Sequence, residues 1–248
     1  MPVAMGPLNL ALIFLTFFFA AFLKGTAGLG FATTCLGIMA AYLDMRVAIP
    51  LVIIPSLLSN ALVMIDAGGF LPILRRFKFM FLAALPGLAL GLWLLGGGSS
   101  AMPRLVLGAA MILYGGGSLW GRTLNLTQRP LLDCAVGVVT GAVNGLTGSQ
   151  IMPILPYLMA LPISKDELVQ AINTSFTLSS IIMLVGLNRL GLVSTELVVI
   201  SLAGLIPVFL GIYIGGKVRR RLPEATFRKI VFALIGLLGA GLVIRAFL

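Results

Sequence analysis

The chain has 248 residues, 60% of them hydrophobic and only 10% charged, and its mean hydropathy is +1.14. A soluble domain carries about 25% charged residues, so apolar stretches recurring from end to end exclude a soluble globular protein and point to an all-α polytopic membrane protein. The formal charge of +10 would suggest nucleic acid in a soluble protein, but here Lys and Arg collect in short loops, as the positive-inside rule expects, and no nucleic-acid partner is implied.

Residues 8–23 form a first apolar stretch. At ~1.5 Å per residue its length is about 24 Å, short of the ~30 Å hydrocarbon core. It lacks a basic leader and reads as a retained span rather than a cleaved signal peptide. A break follows, Lys24-Gly25-Thr26-Ala27-Gly28-Leu29-Gly30, and then a shorter apolar run over 31–43. Two short helices around a glycine-rich tip predict a re-entrant hairpin or a pair of broken helices. Asp44-Met45-Arg46 makes a polar turn. The stretch 47–65 is the first of full length, with Pro50 and Pro55 and a polar stripe of Ser56, Ser59 and Asn60 at helical spacing.

A loop is predicted up to Arg75-Arg76-Phe77-Lys78, then spans over 79–95 and 105–120, separated by a Gly-Ser turn, and a polar linker over 121–130. The second half repeats the plan. The stretch 131–143 leads into a second break, Asn144-Gly145-Leu146-Thr147-Gly148-Ser149-Gln150, and 151–161 leads out of it. After the turn Ser164-Lys165-Asp166-Glu167 come a polar-striped stretch over 168–187, another over 192–215, a basic cluster at 217–221 and a last apolar stretch over 227–248. An offset of 120 superposes Lys24 on Asn144 and Ser59-Asn60 on Ser179-Ser180. Repetition at this period indicates a duplication, with one repeat over 1–125 and a second over 126–248.

Each half then holds five apolar segments, and an odd number forces the halves into opposite orientations. Basic residues test this. With Arg75, Arg76 and Lys78 placed in the cytoplasm, twelve of the 17 Lys and Arg fall inside, four fall outside, and Lys24 stays at membrane depth. The expected architecture is two inverted repeats in the bacterial inner membrane, both termini periplasmic.

The breaks carry the chemistry. A lysine at membrane depth is unfavourable by a few kcal/mol, so it faces a partner, a cavity or a ligand. Glycines there let the backbone leave the helix where protein or water surrounds it. A helix that starts inside the membrane offers free N–H groups and the positive end of its dipole, a ready anion site. Helix starts are expected after Gly28–Gly30 and after Gly148–Gln150. The candidate substrate-binding set is Lys24, Gly25, Gly28, Gly30, Thr33 and Thr34 at the first break, and Asn144, Gly145, Thr147, Gly148, Ser149 and Gln150 at the second. Asn173, Thr174 and Ser175 are candidates both for ligand contact and for interhelical hydrogen bonding. The competing account of Gly25, Gly28 and Gly30 is close helix packing, and that of Lys24 is snorkelling to an interface. Asp66 and Asp133, near segment ends, read as interfacial. Cys35 and Cys134 lie in apolar stretches and read as small buried side chains, not a disulfide framework.

The two breaks, together with Ala171-Ile172-Asn173-Thr174-Ser175 after a short polar turn and Phe227-Arg228-Lys229 before a Gly-rich final stretch, resemble the sulfite/organosulfonate exporter TauE/SafE family of membrane transporters over essentially the whole chain. The resemblance implies movement, mostly export, of small anions such as sulfite, sulfoacetate or related sulfonates. The first break here has Thr26, Ala27 and Leu29 between its glycines, where that family is often richer in glycine. The expected partners are a small anion and the lipid bilayer; self-association into a homo-oligomer stays open.

The sequence contains no histidine, which removes the commonest general base and metal ligand. No Ser or Cys has an evident base partner, so neither an enzyme nor a cofactor is expected. The alternative transporter is a drug/metabolite-type carrier, also built of inverted five-helix repeats, for a neutral or cationic solute. A purely structural membrane protein is the remaining reading.

Overall fold

The computed structural model describes residues 6–27, 30–97, 101–120, 125–219 and 224–246, and all regular structure among them is helical. In chain order the helices are α1 (Pro7–Ala27), α2 (Phe31–Met39), α3 (Met45–Ala67), α4 (Phe70–Arg76), α5 (Lys78–Gly97), α6 (Ala101–Trp120), α7 (Pro130–Thr147), α8 (Ile154–Met159), α9 (Lys165–Arg189), α10 (Thr195–Ala203), α11 (Leu205–Arg219) and α12 (Glu224–Ala246). Among the described residues, six apolar helical stretches are long enough to cross a membrane: Pro7–Thr26, Met45–Ile65, Lys78–Gly97, Pro130–Thr147, Lys165–Arg189 and Thr195–Val218.

The predicted breaks fall close to observed ones, but α7 runs on through Asn144-Gly145-Leu146-Thr147 before the second, and two further differences stand out. α1 does not stop at Leu23 but runs through Lys24, Gly25 and Thr26. In lipid an unpaired backbone group costs several kcal/mol, so the chain stays helical while it can. Thr26 assists by returning its hydroxyl to the carbonyls of Phe22 and Leu23 at 3.0 and 2.8 Å. The second difference is α4, where the sequence suggested a loop. Gly68 and Gly69, both at positive φ (66° and 68°), end α3 and start α4. Phe77 alone separates α4 from α5, and its neighbours keep the hydrogen-bond ladder: Phe77 N–H to Ile73 and Phe81 N–H to Phe77. Gly204 forms the matching joint between α10 and α11. Counting each jointed pair as one segment gives five segments in each half.

The two predicted polar turns are helix caps. The Asp44 carboxylate accepts from Arg46 N–H at 2.8 Å to start α3. Ser164 and Glu167 form a reciprocal capping box that starts α9.

Helix pairing follows a pattern compatible with duplication. α5 packs on α7 and α1 on α11; α4 meets α9 and α10 meets α3; α3 pairs with α9, and α6 with α12. Exchanging α1–α6 for α7–α12 returns the same pairs. Glycines allow the closest of these approaches. A Cβ added at Gly141 of α7 would strike the Ala84 carbonyl of α5, and one added at Gly215 of α11 would strike the Phe22 carbonyl of α1.

Candidate functional site

Lys24 lies near the end of α1 and is only 6% exposed. Its ammonium turns inward to α3, donating to Ser59 Oγ at 3.0 Å and Asn60 Oδ1 at 2.7 Å. Ser56 steadies both partners: Ser59 Oγ donates to its carbonyl at 3.1 Å and Asn60 Nδ2 to its hydroxyl at 3.3 Å. No carboxylate joins them; the ion pair found among the described residues is Arg76–Glu167. The ammonium is therefore buried against neutral dipoles, which solvate a charge without neutralising it.

Next to it stands the first break. Gly30 takes φ +96°, a conformation open to glycine, and opens α2 without a side-chain cap. The first-turn N–H groups of that helix thus have no side-chain acceptor at Gly30. At the second break Gly148, φ +75°, ends α7 by returning its N–H to Asn144 O at 2.7 Å. The two breaks touch directly: Thr33 Oγ1 and Ser149 Oγ are 2.6 Å apart.

A cavity lies between them, lined by Lys24, Gly30, Thr33, Asn60, Gln150 and Ser180, with Phe31, Ala32, Ser56, Gly148, Ile151 and Phe176 completing the wall. Its free space is about 20 Å³, enough for one or two waters.

Of the residues expected at the site, Lys24, Gly30, Thr33, Gly148 and Gln150 line this cavity. Ser149 is bonded to it through Thr33, and Ser175 Oγ reaches Gln150 Oε1 at 3.5 Å. The others lie elsewhere. Gly25 sits where α1 crosses α11, facing the Ile212 carbonyl, and Gly145 where α7 crosses α5, facing the Leu88 carbonyl. Thr147 and Asn173 bond to carbonyls one turn back, those of Val143 and Val169. Thr34 is buried in α2. Asn144 Nδ2 and Thr174 Oγ1 are buried without a hydrogen-bond partner. Gly28 lies outside the described residues.

The second helix start also differs from expectation. α8 begins only at Ile154, after Pro153, whose ring has no N–H to offer. The second break therefore contributes Gly148, Gln150 and Ile151 as loop, and the helix start at this cavity is that of α2.

Ser56, Asn60, Phe176 and Ser180 were not among the expected site residues, although they line the cavity. The signal was present in the polar stripe of α3 and in its echo 120 residues later, but nothing in the sequence aimed that stripe at Lys24. Asp133, expected at an interface, is buried and accepts from Tyr157 Oη at 2.7 Å and Gln128 Nε2 at 3.0 Å. Cys35 is buried as expected and Cys134 half-buried; both are free thiols.

The lining is rich in donors: one ammonium, several hydroxyls, an amide and the N–H groups that begin α2. Asn60 Oδ1 is already engaged by Lys24. Such a set suits a small anion with several acceptor oxygens. Among known proteins, the family model described as sulfite exporter TauE/SafE matches residues 13–242. No curated protein and no solved structure matches the chain.

Proposed function

Since the chain belongs to the sulfite exporter TauE/SafE family, a family of membrane transporters and not of enzymes, we propose that it carries a small oxyanion across the bacterial inner membrane by alternating access around the Lys24 cavity. Family and apolar helices together make it a multi-pass membrane protein. The anion we assign is sulfite, sulfoacetate or a related organosulfonate, moved outward. The two units that move are the repeats 1–125 and 126–248, inverted with respect to each other, with both termini periplasmic. The symmetric pairing of helices and the bias of basic residues support this arrangement.

One observation carries the reading: a buried ammonium, held by neutral groups alone, faces a cavity that both chain breaks line. A fixed cation with no fixed counter-charge attracts a mobile one. The anion completes the charge balance that the protein leaves open, and the hydroxyls of Thr33 and Ser180 with the Gln150 amide would take its remaining oxygens. As it stands the cavity has room for one or two waters. Loading therefore requires the walls to part, and the Thr33–Ser149 contact is the polar link between them.

The test is efflux of sulfite and sulfoacetate from proteoliposomes. The wild-type chain should move at least one of them, and Lys24→Ala should lower that movement by roughly tenfold or more while the protein still purifies as a folded species. Equal efflux by Lys24→Ala would remove the cavity from the mechanism. Raised melting temperature with cationic solutes and not with anions would favour the drug/metabolite-type alternative.

A further inference from the structure

The seam between α5 and α9 is closed at one end and open at the other. Toward the ends of both helices, glycines admit leucines: a Cβ added at Gly186 would strike Leu92, and one added at Gly96 would strike Leu190. On the Lys78 side, neither 78–85 nor 175–182 holds a glycine. Pro86 also lies within α5. Its ring leaves the Leu82 carbonyl without the N–H four residues on, which bends a helix. A groove of about 380 Å³ opens at this level, with Lys78, Phe81, Leu82, Leu85, Leu178 and Ile182 among its walls. Its rim is apolar and uncovered: Leu82, Leu85 and Ile182 are 62%, 42% and 38% exposed.

Hydrocarbon suits such a rim, and water does not. α5 has 20 residues, about 30 Å at ~1.5 Å per residue, which matches the hydrocarbon core. Its first residue, Lys78, therefore stands at one edge of that core. Lys78 is exposed, its Nζ lies 5.0 Å from the centre of the Phe79 ring, and it forms no ion pair among the described residues. No carboxylate accompanies it in the groove wall. The two hydroxyls there, on Ser175 and Ser179, belong to buried residues, and Ser175 Oγ is turned to Gln150 Oε1 at 3.5 Å. The groove thus offers a cation at headgroup level and an apolar channel directly beneath it.

We propose that this groove is a binding site for one anionic phospholipid of the leaflet on the Lys78 side, with its phosphate on the Lys78 ammonium and an acyl chain laid between α5 and α9. From Lys78 to Leu85 is about 10 Å along the helix, so the groove holds the part of the chain nearest the headgroup. A zwitterionic lipid offers the same chain, but its own ammonium offsets its phosphate, and the lysine selects for net negative charge. Phe176 and Ser180, also on α9, line the Lys24 cavity, so the seated lipid and that cavity share a wall. The site depends on the membrane setting and not on the identity of the anion carried.

The test is native mass spectrometry of the purified, delipidated chain given equal amounts of phosphatidylglycerol and phosphatidylcholine with identical acyl chains. The wild-type chain should retain phosphatidylglycerol at least about fivefold over phosphatidylcholine, the contribution of one lysine at an anionic surface. Lys78→Gln should bring the two lipids close to parity. Lys165→Gln removes the same charge at the start of α9 and should leave the preference intact. Leu82→Trp fills the groove from its exposed rim and should lower retention of both lipids, with the melting temperature in detergent unchanged. If Leu82→Trp fails to fold, Leu85→Phe is scored the same way.

Equal retention of the two lipids by the wild-type chain would overturn the site. So would an equal loss of preference in Lys165→Gln, which would mean attraction to the basic face as a whole. A lipid-free dimer that Leu82→Trp dissociates would give the groove to a second copy of the chain instead. None of these outcomes touches the Lys24 cavity, whose own test is efflux.

Discussion

The two breaks occupy corresponding places in the two halves, yet they are built differently. At the first, Lys24 is charged and held by Ser59 and Asn60 across from it. At the second, 120 residues on, Asn144 is neutral and its amide nitrogen is buried without a partner. The first break passes at once from Gly30 into α2, whereas the second passes from Gly148 through an irregular stretch to Pro153 before α8 begins. The helix pairing is thus alike in the two halves, while the buried charge sits in only one of these breaks. Two lysines facing one cavity would repel each other when it is empty, a cost that a single lysine avoids.

The largest effect should come from moving the charge. Lys24→Met removes a charge-assisted contact worth about 1.5–3 kcal/mol, so efflux should fall by roughly ten- to a hundredfold. The sharper variant is the double exchange Lys24→Asn with Asn144→Lys. If the halves are equivalent frames around one cavity, the exchange recovers a measurable part of the efflux that Lys24→Asn loses. Recovery of none would mean that the second break does not present residue 144 to the anion path, in keeping with its absence from the cavity wall.

Next in size are the glycines, which separate packing from binding. Gly25 lies against the Ile212 carbonyl and Gly141 against the Ala84 carbonyl, so Gly25→Ala and Gly141→Val force apart α1/α11 and α5/α7. Each should destabilise by about 1–3 kcal/mol, as overpacking does, with a lower melting temperature and no change in apparent substrate affinity for the protein that still folds. Gly216, on the same α11 but with nothing within 4 Å of an added Cβ, is the control. Gly216→Ala should be neutral or stabilising by roughly 0.5–1 kcal/mol through helix propensity. A shift in apparent affinity on Gly25→Ala, with stability intact, would return Gly25 to the binding site.

These contrasts also mark how far the sequence could be read. The apolar stretches, both breaks and the polar turns at Asp44 and Ser164 were legible, because hydropathy, glycine spacing and polar clusters are local signals; that those turns are helix caps came from the structure. The length of α1 was not. Gly25 reads as a helix breaker by propensity, but in lipid the penalty for an open backbone group exceeds the propensity of one glycine. α4 was hidden for a similar reason: Gly68-Gly69 reads as a loop, and only the packing of Ile73, 3% exposed, shows that a helix follows. In the candidate site, the lysine and the glycine tips announced themselves. The α3 residues that hold Lys24 did not, since a pairing across 35 or 36 residues depends on how two helices meet.

The smallest predicted effect is at the contact where the breaks meet. Thr33 Oγ1 and Ser149 Oγ share one buried hydrogen bond of 2.6 Å, joining residues 116 apart in the chain. A neutral hydrogen bond contributes about 0.5–1.5 kcal/mol net, so Thr33→Ala and Ser149→Ala should each lower stability by about 1 kcal/mol. Because both single variants break the same bond, the double variant should lose little more than either alone. The cycle should give a coupling of about 0.5–1 kcal/mol, as groups in direct contact do. Efflux separates two roles for that bond. If it closes the cavity and must open in each cycle, its loss weakens the closed state, and transport rises or holds while stability falls. If Thr33 and Ser149 instead orient donors toward a bound anion, transport falls in both single variants. In the second case the two breaks meet at the ligand; in the first they meet at a door beside it.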